Sequence, residues 1–167
     1  STQYDESRYN ETLVDDYDND GDIDIVLVVE YHEELTIDLD YHVLEYFENN
    51  GDGTFQAPVE IFNYEYGFSL RPFYDILQFD VDNDGDKDFF ISIHNRIYQV
   101  INLGNGNFTE ISFLSSSYEA SNMYAVDLDN DGFLDIVEKS FDEVVNNHRI
   151  YFRKNLNGSF DAFADGF

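Results

Sequence analysis

The sequence predicts an all-β protein built from three four-stranded antiparallel units, and three observations carry that expectation. An acidic nine-residue stretch occurs three times: "DYDNDGDID" at 16–24, "DVDNDGDKD" at 80–88 and "DLDNDGFLD" at 127–135. Each is followed by a Gly/Asn turn that closes on an aromatic residue: "YFENNGDGTF" at 46–55, "VINLGNGNF" at 100–108 and "FRKNLNGSF" at 152–160. Between these signatures lie short β-branched and aromatic runs, too short for helices and bounded by turn residues.

The strands of each unit follow in order. One enters the acidic loop: "TLV" at 12–14, "FYDILQF" at 73–79 and "MYAV" at 123–126. One leaves it: "IVLVVEY" at 25–31, "FFISI" at 89–93 and "IVEKSF" at 136–141. The remaining two form a hairpin around the Gly/Asn turn, where glycine and asparagine tolerate the left-handed backbone of a tight reversal. This gives a single repeat domain over 1–167, with units at about 12–62, 73–114 and 123–164 and an N-terminal extension at 1–11. Loops at 32–40 and 63–72 account for the unequal spacing, since surface connections accept insertions. Both prolines fall near strand ends or loops, where a missing N–H does no harm.

Composition limits the function. The chain is 43% hydrophobic and 17% aromatic, enough for a packed core in 167 residues. Its 36 acidic and 8 basic residues give a net charge of −28, which disfavours nucleic acid or an anionic membrane surface and favours cations. No apolar run approaches the roughly 18 residues of a membrane span. The sequence opens at Ser1 with no signal-like segment, consistent with a leader already removed. With no cysteine, neither a disulfide nor a thiolate metal site is expected.

The acidic loops have the chemistry of a hard-cation site. Calcium takes six to eight oxygen ligands, and a loop with carboxylates at positions 1, 3 and 5, glycine at 6 and a further carboxylate wraps around such an ion. Position 6 is Gly21, Gly85 and Gly132. Position 7 is Asp22, Asp86 and Phe133, a variation that points to a backbone carbonyl ligand there. Position 9 is Asp24, Asp88 and Asp135. Carboxylates about 5 Å apart repel by roughly 1 to 3 kcal/mol per pair at an effective dielectric of 20 to 40, and a bound divalent ion removes that repulsion. Magnesium fits less well, because it demands an octahedron and keeps its waters. An EF-hand needs glutamate at position 12 and helical flanks; position 12 here is Leu27, Ile91 and Glu138, and the flanks read as strands. Lys87 at position 8 also departs from that pattern.

A DxDxDGxxD loop between two short strands, followed by an Asn/Gly hairpin ending in phenylalanine, resembles the FG-GAP or VCBS repeat, the calcium-binding blade of integrin-type β-propellers. The resemblance covers residues 12 to 164, and the missing FG and GAP signatures place the chain nearer the VCBS variant. It implies three calcium sites with side-chain ligands Asp16, Asp18, Asp20 and Asp24; Asp80, Asp82, Asp84 and Asp88; and Asp127, Asp129, Asp131 and Asp135. The carbonyls of Asp22, Asp86 and Phe133 would complete them. It further implies a β-propeller-like fold, a secreted or cell-surface location, and a structural, adhesive or ligand-binding role. Propellers close with about four to eight blades, so three blades imply an open or partial arrangement. The blade faces left uncovered suit a longer propeller, a two-chain ring, or head-to-tail stacking into a fibre. A protein or glycan ligand is the alternative partner, and a domain of a secreted hydrolase the remoter one.

Other features are read as structural. Phe55, Phe108 and Phe160 recur at one repeat position and are expected to pack in the core. Many of the tyrosines are expected as half-buried strand residues. His32, His42, His94 and His148 have no ligand spacing and are expected in loops or on the surface. Asn10, Asn107 and Asn157 head N-glycosylation acceptor triplets. No nucleophile elbow, zinc-protease motif, catalytic cysteine or phosphate-cradling loop is present, and no enzymatic activity is expected.

Overall fold

The computed structural model describes residues 6–33, 39–67, 73–93, 96–115, 119–142, 146–161 and 164–165. They form twelve strands and no helix. The first sheet comprises β1 (Glu6–Asp15), β2 (Asp24–Glu33), β3 (Leu39–Phe47) and β4 (Val59–Gly67); the second β5 (Phe73–Phe79), β6 (Asp88–Ile93), β7 (Arg96–Asn102) and β8 (Phe108–Ser115); the third β9 (Glu119–Val126), β10 (Asp135–Asp142), β11 (Asn147–Arg153) and β12 (Ala164–Asp165). In each sheet neighbours in sequence are neighbours in space, the simple meander that short hairpin connections produce. The protein is therefore all-β and β-propeller-like, with one antiparallel four-stranded sheet per repeat. Among the described residues, no helix is long and apolar enough to cross a membrane.

Several strands outrun their expected bounds. β1 pairs with β2 back to Glu6↔His32, so residues 6–11, expected as an extension, belong to the first sheet. β2 runs to Glu33 and β3 begins at Leu39, cutting into the loop expected at 32–40, while β4 reaches Gly67 into the loop expected at 63–72. The cause is pairing: once β2 and β3 align from Ile25↔Phe47, each further residue adds ladder hydrogen bonds out to Glu33↔Leu39. Residues 34–38 and 68–72 lie outside the described residues.

The chain divides into two compact units, Ser1–Arg71 with Leu103–Glu110, and Pro72–Asn102 with Ile111–Phe167. In the first unit the buried side chains include Val26, Val28, Leu44, Phe62, Tyr17 and Tyr46. The segment Leu103–Glu110 joins it because the Phe108 ring meets Tyr46 edge-on at 5.2 Å and Tyr17 at 6.4 Å. In the second unit Phe79, Val81, Phe90, Ile97, Ile101, Met123 and Ile136 make one core, with Phe160 packed against it. β6 is buried over its whole length, and the run "DFFISI" shows it by having no polar alternation. Asp75 also accepts the backbone N–H of Met123 at 2.5 Å, joining β5 to β9.

Candidate metal centres

The three acidic loops fold alike because their own backbone amides are satisfied by their own carboxylates. Oδ1 of the position-1 aspartate accepts the N–H of position 5, and Oδ2 accepts that of the glycine at position 6. These bonds measure 3.0 and 3.0 Å at Asp16, 3.1 and 2.9 Å at Asp80, and 3.1 and 3.1 Å at Asp127. Oδ1 of position 5 then accepts the N–H of position 7, at 2.8 Å for Asp20, 2.9 Å for Asp84 and 3.0 Å for Asp131. The turn needs a left-handed backbone at position 4, met by Asn19, Asn83 and Asn130 at φ near 60°, and at position 6, where Gly21, Gly85 and Gly132 have φ of 99°, 102° and 93°. A Cβ at those glycines would meet nothing within 4 Å. Glycine is there for its backbone conformation, not for room.

Position 9 opens the strand leaving the loop. Asp24, Asp88 and Asp135 are at most 1% exposed. Oδ2 of each accepts the N–H of position 2, at 3.0 Å from Tyr17, 2.8 Å from Val81 and 3.0 Å from Leu128. Oδ1 accepts an N–H from the head of the second signature, at 2.8 Å from Asn49, 2.9 Å from Asn102 and 2.9 Å from Asn155. The Asn49 side chain donates in return to the carbonyl of Ile23, and that of Asn155 to the carbonyl of Leu134. Sequence reasoning missed these three asparagines, although each heads the recurring Gly/Asn turn. Burial pushes the Asp88 carboxyl up to about 7, its two backbone donors pulling it back and Asp82 and Asp84 adding to the rise. Burial likewise raises Asp18 and Asp82.

The folding of each loop brings positions 1, 3 and 9 together. One carboxylate oxygen of each lies within 4.8 Å of the others in the sets Asp16, Asp18, Asp24; Asp80, Asp82, Asp88; and Asp127, Asp129, Asp135. Asp20, Asp84 and Asp131 are exposed, and each accepts the N–H of the position-7 residue, Asp22, Asp86 or Phe133, which holds the peptide unit between it and the preceding glycine. The donor set suits a hard cation: it is all oxygen, it concentrates negative charge, and Asp82 Oδ1 is buried without a hydrogen-bond partner. An orphaned carboxylate oxygen facing other carboxylates is costly to leave unmatched, and a hard divalent cation would match it.

The loops differ in their surroundings. In the third, the Lys154 ammonium pairs with Asp129 and lies 3.1 Å from Asp131 Oδ2. This raises the lysine pKa, and the Asp131 carboxyl is held low by the Phe133 amide first and Lys154 second. In the first loop Glu48 adds to the negative field at Asp18. There Gly51 is pressed against Asp22, whose Oδ2 would lie 2.3 Å from a Cβ at that position.

Elsewhere the structure corrects some expectations. His42, expected on the surface, is 1% exposed, because β3 lies between β2 and β4; His148 is exposed and its ring meets Phe141 at 5.2 Å. His32 is paired in β2, and His94 lies outside the described residues. Phe108 and Phe160 pack as expected, the latter 5.4 Å from Phe90, but Phe55 is 42% exposed. A buried ion pair, Glu138 with Arg153 at 3.5 Å, joins β10 and β11; burial raises the glutamate pKa and the arginine pulls it back. The Asn107 amide donates to the carbonyls of Gly104 and Asn105, so a glycan there would remove one of the two N–H donors these bonds use. Asn157 is exposed, and Asn10 sits in the register shift of β1 between Tyr9 and Glu11.

Four-stranded antiparallel sheets, each with a carboxylate loop between its first two strands, define a β-propeller-like repeat protein. Residues 80–138, from position 1 of the second loop through the third loop, match the family model of the FG-GAP-like repeat. No curated protein sequence matches the chain. Among solved structures it is similar to a lectin from Agrocybe aegerita, described for specific recognition of non-reducing terminal N-acetylglucosamine. The two are 15% identical with a TM-score of 0.51, over 92% of this chain and 52% of the lectin. The chain thus spans about half the length of that structure, and the likeness is one of fold.

Proposed function

We propose that the protein is an extracellular, calcium-stabilised β-propeller-like repeat protein with a structural or adhesive role and no catalysis of its own. The observation that carries this reading is the threefold recurrence of one loop geometry, which gathers carboxylates of positions 1, 3 and 9 at three places. Bound calcium would supply charge neutralisation and fix the angle between the strands entering and leaving each loop. Extracellular modules of this kind bind calcium at about 10⁻⁴ to 10⁻³ M, which matches millimolar calcium outside cells and leaves such sites empty in cytosol. Thermal melting in about 2 mM calcium and in excess EGTA tests it, and an unchanged midpoint would refute it.

The proposed adhesive behaviour is self-association, supported by two mismatched ends. Phe108 and Phe160 lie against Tyr46 and Phe90, whereas the equivalent Phe55 is 42% exposed. Conversely, loop position 2 is buried as Tyr17 and Val81 but 48% exposed as Leu128. An inserting ring left over in the first sheet and a receiving site left over in the third suit a second copy joined head to tail. Light scattering over a concentration series in calcium checks this; a constant monomer mass would exclude it. A second reading, a glycan-binding module, is favoured by the fold likeness to the lectin, and a glycan array with no saturable hit would remove it.

A further inference from the structure

We infer that the three calcium sites are graded, and that Lys154 makes the third the weakest by serving as its built-in counter-ion. This rests on the calcium reading above. Lys154 immediately precedes Asn155, the residue whose N–H and side chain tie the outer hairpin to the third loop. The corresponding residues before Asn49 and Asn102 are Glu48 and Ile101. One repeat position thus carries a negative, a neutral and a positive side chain at loops that are otherwise built alike.

The position matters because of what it touches. The Lys154 ammonium pairs with Asp129 and lies 3.1 Å from Asp131 Oδ2, at loop positions 3 and 5. A calcium ion in the third loop meets both a carboxylate already engaged and a positive charge within a few ångströms. The third loop is also poorer in carboxylates, having Phe133 and Leu134 where the first has Asp22 and Ile23 and the second Asp86 and Lys87. With an ammonium about 4 Å from a divalent ion in near-aqueous surroundings, repulsion alone lowers affinity by roughly 10- to 30-fold. The first loop has the opposite bias, with five aspartates at its odd positions and Glu48 beside them. Filling proceeds with the first site ahead of the second and the third last, while the third loop keeps its shape at low calcium through the lysine.

Equilibrium dialysis against calcium, with the bound ion counted by atomic absorption, tests this on the wild-type chain and on K154Q and K154M. Lys154 is 40% exposed, so both variants are expected to fold, which near-UV circular dichroism checks. In about 2 mM calcium the wild type should hold close to two ions and the variants close to three. The third site should tighten by roughly 10-fold or more on removing the charge. Three equivalent ions in the wild type, with no change in the variants, would overturn the lysine's role and leave the calcium reading standing. No bound calcium in any of the three proteins would overturn both.

Discussion

Asn102 and Asp88, fourteen residues apart, meet in the interior, the backbone N–H of the first donating to Oδ1 of the second over 2.9 Å. The other oxygen of Asp88 accepts the Val81 N–H at 2.8 Å. One carboxylate therefore closes the acidic loop and anchors the outer hairpin. Asp88→Asn supplies one acceptor where two are needed and leaves a buried donor facing an amide. The expected loss is about 2 to 3 kcal/mol, read from urea unfolding, and it should persist in EGTA. Asp84→Asn, at an exposed position, should lose under about 1 kcal/mol in EGTA. Equal losses from the two would contradict the anchoring role.

Gly85→Ala tests the backbone argument. The residue sits at φ of 102° in open space, so a methyl group clashes with nothing beyond its own chain and the whole effect is conformational. A destabilisation of roughly 1 to 2 kcal/mol is expected, visible as a lower melting temperature. A neutral result would mean that the loop relaxes to another shape.

The two recurring phenylalanines with opposite environments should respond differently. Phe160→Ala removes a ring packed on Phe90 and the core of the second unit, and should cost about 2 to 4 kcal/mol. Phe55→Ala should cost under about 1 kcal/mol, because Phe55 is already 42% exposed. Its effect belongs in the association measurement, where it should reduce the mass seen at high concentration.

Glu138 gives stability a pH dependence whose sign follows from its environment. Burial raises its folded pKa above 4.5 despite Arg153, so the folded state holds the proton more tightly than the unfolded chain does. That contribution is fully present below the unfolded value and is lost as pH rises through the folded one. Urea midpoints in EGTA should therefore fall from acidic pH towards neutrality more steeply in the wild type than in E138Q. E138Q should approach the wild type at acidic pH, where Glu138 is itself neutral beside Arg153, and should not share its decline towards neutrality. Parallel profiles would remove Glu138 as the cause.

The acidic loops were legible because everything that shapes them is local. The position-1 carboxylate reaches only to positions 5 and 6, the position-5 carboxylate only to position 7, and the left-handed residues announce themselves as Asn and Gly. The strand order was legible for the same reason, as hairpin follows hairpin. What stayed hidden depends on contacts remote in sequence. Asn155 matters because its side chain reaches Val81, seventy-four residues away, as well as Leu134. His42 is buried because its strand is central, which a lone polar residue in an apolar run does not reveal. The ion pair of Glu138 with Arg153 and the pairing of Lys154 with Asp129 both cross between β10 or its loop and the end of β11, and no spacing rule signals them. The outer ends of β1 and β4 carry polar residues such as Glu6, Ser7 and Glu65 and read as connection until a neighbouring strand pairs with them.

The single buried carboxylate at loop position 9 also has a mechanical meaning. It is the rivet at which the incoming loop, the outgoing strand and the start of the outer hairpin are fastened together. Tension pulling on any of the three is shared by the others, and none yields until that fastening does. With three such fastenings along one chain, extension should proceed in a few discrete steps. Pulled from its ends, the chain would then stay taut until a threshold force and lengthen only beyond it.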